Sequence, residues 1–197
     1  MFEDLDWTIS PGEHWQVTGP NGSGKTCLLS LITGDHPQCY VNDIKVFGFQ
    51  RGNGESIWQI KQHIGYISTA LQWEYRVSTS VRNAIVSGFF DSIGLYSKAS
   101  DAQKAIADQW LDVLGMRDMA DAPFTGLSFG EQRLVLIARA MVKHPPLLIL
   151  DEPCLGLDEM NRQLVLALIE RICRSSCLLY TSPSPRDATL SRMPSSA

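Results

Sequence analysis

The stretch "GPNGSGKT", Gly19 to Thr26, constrains this chain more than any other. Three glycines in eight residues do not belong inside a helix or strand, because glycine loses more conformational freedom on ordering than any other residue. The flanks, by contrast, are regular. "HWQVTG" before it reads as a short strand, and "KTCLLSLITG" after it as a helix with nearly continuous apolar positions that stops at Gly34. A strand, a glycine-rich loop and a buried helix in that order make a phosphate cradle. The loop of Gly19, Pro20, Asn21, Gly22, Ser23 and Gly24 can turn backbone N–H groups onto phosphate oxygens at a helix N-terminus, where the dipole also favours an anion. Lys25 is then expected to reach the β and γ phosphates, and Thr26 to offer its hydroxyl to Mg²⁺. The plainer alternative is a glycine-rich turn carrying an exposed lysine.

A phosphate cradle needs a carboxylate for its metal, and "LLILDEP" supplies a candidate. Four apolar residues read as a buried strand, and Asp151 emerges at its end, where open α/β sheets bind ligands. Asp151 is expected to hold Mg²⁺, and Glu152 to accept a proton from an attacking water, a service worth about 10²- to 10⁴-fold in rate. Without the upstream loop, the same pair reads as two carboxylates solvating a strand end. A third motif, "LSFGEQR" at Leu127 to Arg133, has a purely structural account: Ser128 followed three residues later by Glu131, just before an apolar helix, is a capping box.

Other elements are placed by their periodicity. Short strands are expected around Asp43 to Phe47 and at "HIGYIS", and a helical pattern from Val81 to about Leu114, with Ile106, Trp110, Leu111 and Leu114 on one face after Ser100. A break at "DAPFTG" precedes a helix from about Ser128 to Lys143, and "NRQLVLALIERIC" gives one more. The fold class is α/β with a helical insertion in its middle. At 197 residues, 44% hydrophobic and 19% charged, the chain is long enough for one domain with its own core. A net charge of −4 gives no electrostatic footprint for nucleic acid. The longest clear apolar run, Leu147 to Leu150, is far short of the roughly 20 residues that span a bilayer. The start "MFEDLDW" lacks the basic and apolar regions of a signal peptide. Five cysteines without a C-x-x-C pair and four scattered histidines suggest a reduced cytoplasmic protein without a zinc site.

These motifs resemble those of the ATP-binding cassette (ABC) ATPases. "GPNGSGKT" is similar to their Walker A, "LSFGEQR" to their signature, "LLILDEP" to their Walker B and "LGLD", ending in Asp158, to their D-loop, in the family's order across residues 1 to about 176. The resemblance implies a P-loop NTPase fold, with a RecA-like core at 1–74 and 144–176 and a helical subdomain at about 75–143. It also implies ATP and Mg²⁺ as ligands. A second cassette is the implied partner, its nucleotide meeting Ser128, Gly130 and Glu131 with Asp158 nearby; a membrane-spanning subunit would place the pair at the inner face of the cell membrane. Several positions depart from the family. Phe129 stands for the first signature glycine and Glu131 for its glutamine. Where the family has a metal-contacting glutamine after the third strand this chain has Thr69, and Gln72 arrives three residues later. No histidine follows His144, although the family's next strand ends in one. The family's adenine-stacking aromatic lies on a strand before the Walker A strand, and this chain is expected to start too late to include it. Stacking of that kind is worth about 1–3 kcal/mol in nucleic-acid systems, so weaker nucleotide binding is expected.

Residues 177–197 carry an unrelated resemblance. "CLLYTSPSPRD" and "SRMPSSA" match the translated ends of a sequencing-library adaptor, with "ATL" over its variable index. The expectation is therefore a family domain over 1–176, cut at both ends and inactive alone, followed by a non-native tail in which "CLLY" is a strand only by accident.

Overall fold

The computed structural model describes residues 5–54, 56–173, 177–183 and 189–192. These fall into two compact units. One is drawn from residues within 1–66, 146–152 and 175–197, the other from 67–145 and 153–174.

The first unit is built on a mixed sheet. Strand β1 (His14–Gly19) leads through the glycine loop into helix α1 (Lys25–Thr33). Gly34, in the left-handed region at φ 83, ends α1 and returns its N–H to the Ser30 carbonyl. A small hairpin follows, β2 (Lys45–Val46) and β3 (Phe49–Gln50), paired antiparallel. Both turn residues, Phe47 and Gly48, have positive φ, the conformation that a two-residue hairpin loop needs. Helix α2 (Ile57–Lys61) starts at the Ser56–Gln59 capping box and precedes β4 (Ile64–Ser68). Later come β5 (Leu147–Asp151), β6 (Cys177–Pro183) and β7 (Thr189–Arg192).

The strand order is β4-β5-β6-β1-β7. β6 runs parallel to both β5 and β1, and β7 antiparallel to β1. The register sets Leu150 against Tyr180 and Gly19 against Pro183, so β1 and β6 end together while β5 ends earlier along β6. The carboxyl ends of parallel strands border the crevice where α/β sheets take ligands. Val17, Leu28, Leu29, Ile60, Ile64, Leu147 and Ile149 form the unit's core, fastening α1 to the strands that carry the loop and Asp151.

The second unit is helical: α3 (Thr69–Glu74), α4 (Val81–Val86), α5 (Asp101–Leu114), α6 (Phe129–Met141) and α7 (Glu159–Cys173). Helix α6 is its centre, packing against α3, α4, α5 and α7. The helical pattern expected from Val81 to Leu114 is interrupted. After α4 the chain tightens into a 3-10 turn (Ser87–Phe90), then passes Asp91 and Gly94 at positive φ before α5. Gly88 lies so close to the Arg139 carbonyl that no Cβ fits, which fixes where α4 and α6 approach. α5 begins at the Ser100–Gln103 capping box and ends at Gly115 in the left-handed region.

Helices α3 and α7 group with the helical unit, where both pack on α6. The strand read as accidental is paired along its length, since "CLLYTSP" supplies the backbone groups that β5 and β1 would otherwise leave open between them.

Leu29→Ala should lower stability by about 2–5 kcal/mol in denaturant titration, because Leu29 is fully buried in the core beneath α1. A loss below half a kilocalorie would mean that α1 is not anchored there.

Candidate functional site

The glycine loop is shaped by two residues that only glycine fills without strain. Gly22 has φ 81, and Gly24, the N-cap of α1, has φ 94 and offers no side-chain cap. The first N–H groups of α1 therefore lack a side-chain acceptor, which is the condition under which a helix N-terminus takes an external anion. Ser23 Oγ, in the same loop, is buried without a hydrogen-bond partner among the described residues. Lys25 is 5% exposed and folds back on the loop. Its Nζ donates to the carbonyls of Gly19 at 2.8 Å and Pro20 at 3.0 Å, and lies 3.9 Å from Glu152 Oε1. The cation is thus the bridge between loop and carboxylates.

At the end of β5, Asp151 is 6% exposed and both of its carboxylate oxygens are held. Thr26 Oγ1 donates to Oδ2 at 3.0 Å, and Thr181 Oγ1, on β6, donates to Oδ1 at 2.8 Å. Thr181 also accepts from the Glu152 backbone N–H at 2.8 Å. Glu152 itself sits at φ 51, a conformation that non-glycine residues adopt only when their surroundings enforce it. A threonine hydroxyl and a carboxylate side by side are the hard oxygen donors that Mg²⁺ takes. Together with the unpartnered Ser23 hydroxyl and the uncapped helix start, this donor set fits a magnesium-bound phosphate. Thr181 is the residue that sequence reasoning missed. Its signal was a hydroxyl near the end of the strand beside the carboxylate strand, but it lay in the segment set aside as foreign.

The second unit holds the other expected residues. Ser128 caps α6 in the reciprocal box: Ser128 Oγ accepts from the Glu131 N–H at 3.3 Å, and Glu131 Oε2 accepts from the Ser128 N–H at 2.8 Å and hydroxyl at 2.7 Å. Gly130 is buried against the Asn161 carboxamide, leaving no room for a Cβ. Asp158 accepts from the Asn161 backbone N–H at 2.8 Å and its Nδ2 at 2.7 Å, bonds that hold the exposed Asp158 carboxyl below its ordinary pKa. Gln72 is buried and donates from Nε2 to the Phe129 carbonyl at 2.9 Å, while its Oε1 has no partner among the described residues. The hydroxyl of Thr69 is likewise buried without one.

Residues 2–155, more than half the chain, match the sequence model of the family described as "ABC transporter". The chain belongs to the ABC transporter family. It is 56% identical over 191 residues to "ABC transporter ATP-binding protein ModF" of Escherichia coli, covering 95% of this chain and 39% of that protein. It is 29% identical over 187 residues to "Molybdate import ATP-binding protein MolC" of Haemophilus influenzae, covering 94% of this chain and 67% of that one. The solved structure of cbiO1 from Clostridium perfringens, "part of the ABC transporter complex cbiONQ", superposes with a TM-score of 0.72 at 22% identity over 91% of this chain and 70% of its own, and shares the fold. The chain thus spans well under half the length of the ModF it matches. Among the described residues of this ABC family member, no helix is long and apolar enough to cross a membrane.

Thr181→Val should destabilise the chain by about 1–3 kcal/mol, because it leaves an Asp151 oxygen and the Glu152 N–H without their partner, and Thr181→Ser should recover most of the loss. Equal stability of the valine variant in thermal melts would show that β6 does not support the site.

Proposed function

We propose that this chain is the ATP-binding and ATP-hydrolysing cassette of a ModF-like molybdate-transport ATP-binding protein, working in a pair with a second cassette. The observation that carries this function is the convergence of Lys25, Thr26, Asp151 and Glu152 at the carboxyl ends of β1 and β5. The likeness to ModF over 95% of the chain and the likeness to the molybdate-import protein MolC support the substrate class.

In this function the loop N–H groups from Gly22 to Thr26 take phosphate oxygens, and Lys25 exchanges its two carbonyl bonds for contacts to the β and γ phosphates. Thr26 and Asp151 would hold Mg²⁺. When bound, the metal neutralises charge on the phosphate oxygens. Glu152 orients the attacking water and accepts its proton as the water oxygen bonds to γ-phosphorus and the bridge to the β-phosphate breaks. Asp151, bonded by two hydroxyls, is kept in place beside it. Ser128, Gly130 and Glu131 serve the nucleotide of the second cassette, with Asp158 at the contact of the pair. The cassette acts in the cytoplasm, at the inner membrane face when joined to a membrane-spanning subunit; its net charge of −4 gives nucleic acid no place in this scheme.

A second function, a switch in which ATP clamps two cassettes and slow hydrolysis resets them, draws on Gln72, whose amide is committed to the Phe129 carbonyl. Turnover that is indifferent to a membrane-spanning subunit would favour the switch. The resemblance of residues 177–197 to translated adaptor supports a foreign origin for that stretch, independent of its placement as β6 and β7. Recovery of the same residues from adaptor-trimmed DNA would refute that origin.

Lys25→Ala removes the loop's only side-chain cation and should weaken Mg-ATP binding at least about tenfold by calorimetry; unchanged affinity would refute the phosphate site. With the second cassette present, Glu152→Gln should lose most turnover while ATP still binds and holds the pair together. Hydrolysis at the parental rate would remove Glu152 from the role of base.

A further inference from the structure

The family's first signature glycine is replaced here by Phe129, and the ring has neighbours on every side within the helical unit. Trp73 of α3 lies with its ring centroid 5.8 Å away, and the guanidinium of the fully buried Arg133 sits 5.6 Å over the Phe129 centroid. The Phe129 carbonyl accepts the Gln72 amide at 2.9 Å. On another side, the Phe129 ring stands 3.4 Å from where a side chain would begin on Gly156, a residue at φ 77. Gly130, next in sequence, packs on the carboxamide of Asn161, and that carboxamide donates to Asp158 at 2.7 Å. Two consecutive residues at the start of α6 therefore lie against the 155–161 stretch, Phe129 beside Gly156 and Gly130 against Asn161, which bonds Asp158. A glycine at 129 could make none of the ring contacts.

We propose that Phe129 is a positioning residue that joins the Ser128–Gly130 corner, the Leu155–Asp158 segment and α3 into one rigid edge. On the function proposed above, that edge is the face this cassette offers to the nucleotide of the second one. The ring replaces the conformational freedom of a glycine with fixed packing, so Ser128 and Asp158 keep one spacing whether or not a partner is present. Gly156 is favoured at its own position by its positive φ, and the ring lies beside it at ordinary packing distance. Trp73 is 57% exposed, so it closes the ring's outer side without being needed for the unit's core.

Amide hydrogen exchange on the ligand-free 197-residue chain tests this, because exchange reports local opening segment by segment. Phe129→Ala should speed exchange across 155–161 by at least about tenfold, while Phe129→Tyr, which keeps the ring, should restore protection. Val135→Ala, a core variant on the same helix, should lower the melting temperature without selecting that segment. Mg-ATP affinity of the first unit should stay within about twofold in Phe129→Ala. If Phe129→Ala does not fold, Trp73→Ala carries the test, with an expected acceleration of about threefold over the same amides. No change at 155–161 in the ring variants, or the same change in Val135→Ala, overturns the proposal. A parental chain that fails to bind Mg-ATP would refute the proposed function alone, since the exchange comparison contains no nucleotide.

Discussion

The hydrogen bond from Thr26 to Asp151 closes a loop of 125 residues and is the contact on which the site depends. It joins the first turn of α1 to the end of β5, so the element that can cradle phosphate and the one that can hold a metal are fixed at bonding distance. An isolated hydroxyl–carboxylate bond contributes on the order of 1–3 kcal/mol. Its weight here comes from what surrounds it: the buried apolar face of α1 on one side, and the second threonine, Thr181, on the other. Lys25 spans the same gap electrostatically, with its ammonium between the loop carbonyls and Glu152.

The two units divide the chemistry. On the proposed function, the sheet unit carries the groups that would meet a nucleotide and its water. The helical unit carries a corner made of a capped helix start, a tightly packed glycine and the Asp158 turn. Such a division suits the proposed function, in which each of two cassettes would supply a catalytic surface and a closing edge. Ser128 and Glu131 satisfy each other in the capping box, and Gly130 beside them packs against the Asn161 carboxamide.

Much of this was legible in the sequence because it rests on local rules. The glycine loop, the helix that follows it, the β5 strand ending in Asp151, and the Ser128 and Ser100 caps are each set by residues within a few positions of one another. What was not legible depends on distant partners. Helix α3 forms from "TALQWE" after its Ser68 cap, and its Gln72 is spent on Phe129, 57 residues away. The interruption after Val86 is imposed by the close approach of Gly88 to Arg139, which periodicity along one segment does not reveal. Thr181 was discounted because its segment looked foreign, yet strand pairing answers to backbone groups and a hydroxyl in register, whatever the origin of the residues.

The central claim is that loop, lysine, hydroxyl and carboxylate form one magnesium–nucleotide site. Titration of the 197-residue chain with ATP, with Mg²⁺ present and then chelated, tests it most directly. Saturable one-to-one binding that weakens by at least about tenfold without the metal is the expected result. Binding that is absent, or indifferent to Mg²⁺, would contradict the account, because Thr26 and Asp151 would then be held together for structure alone.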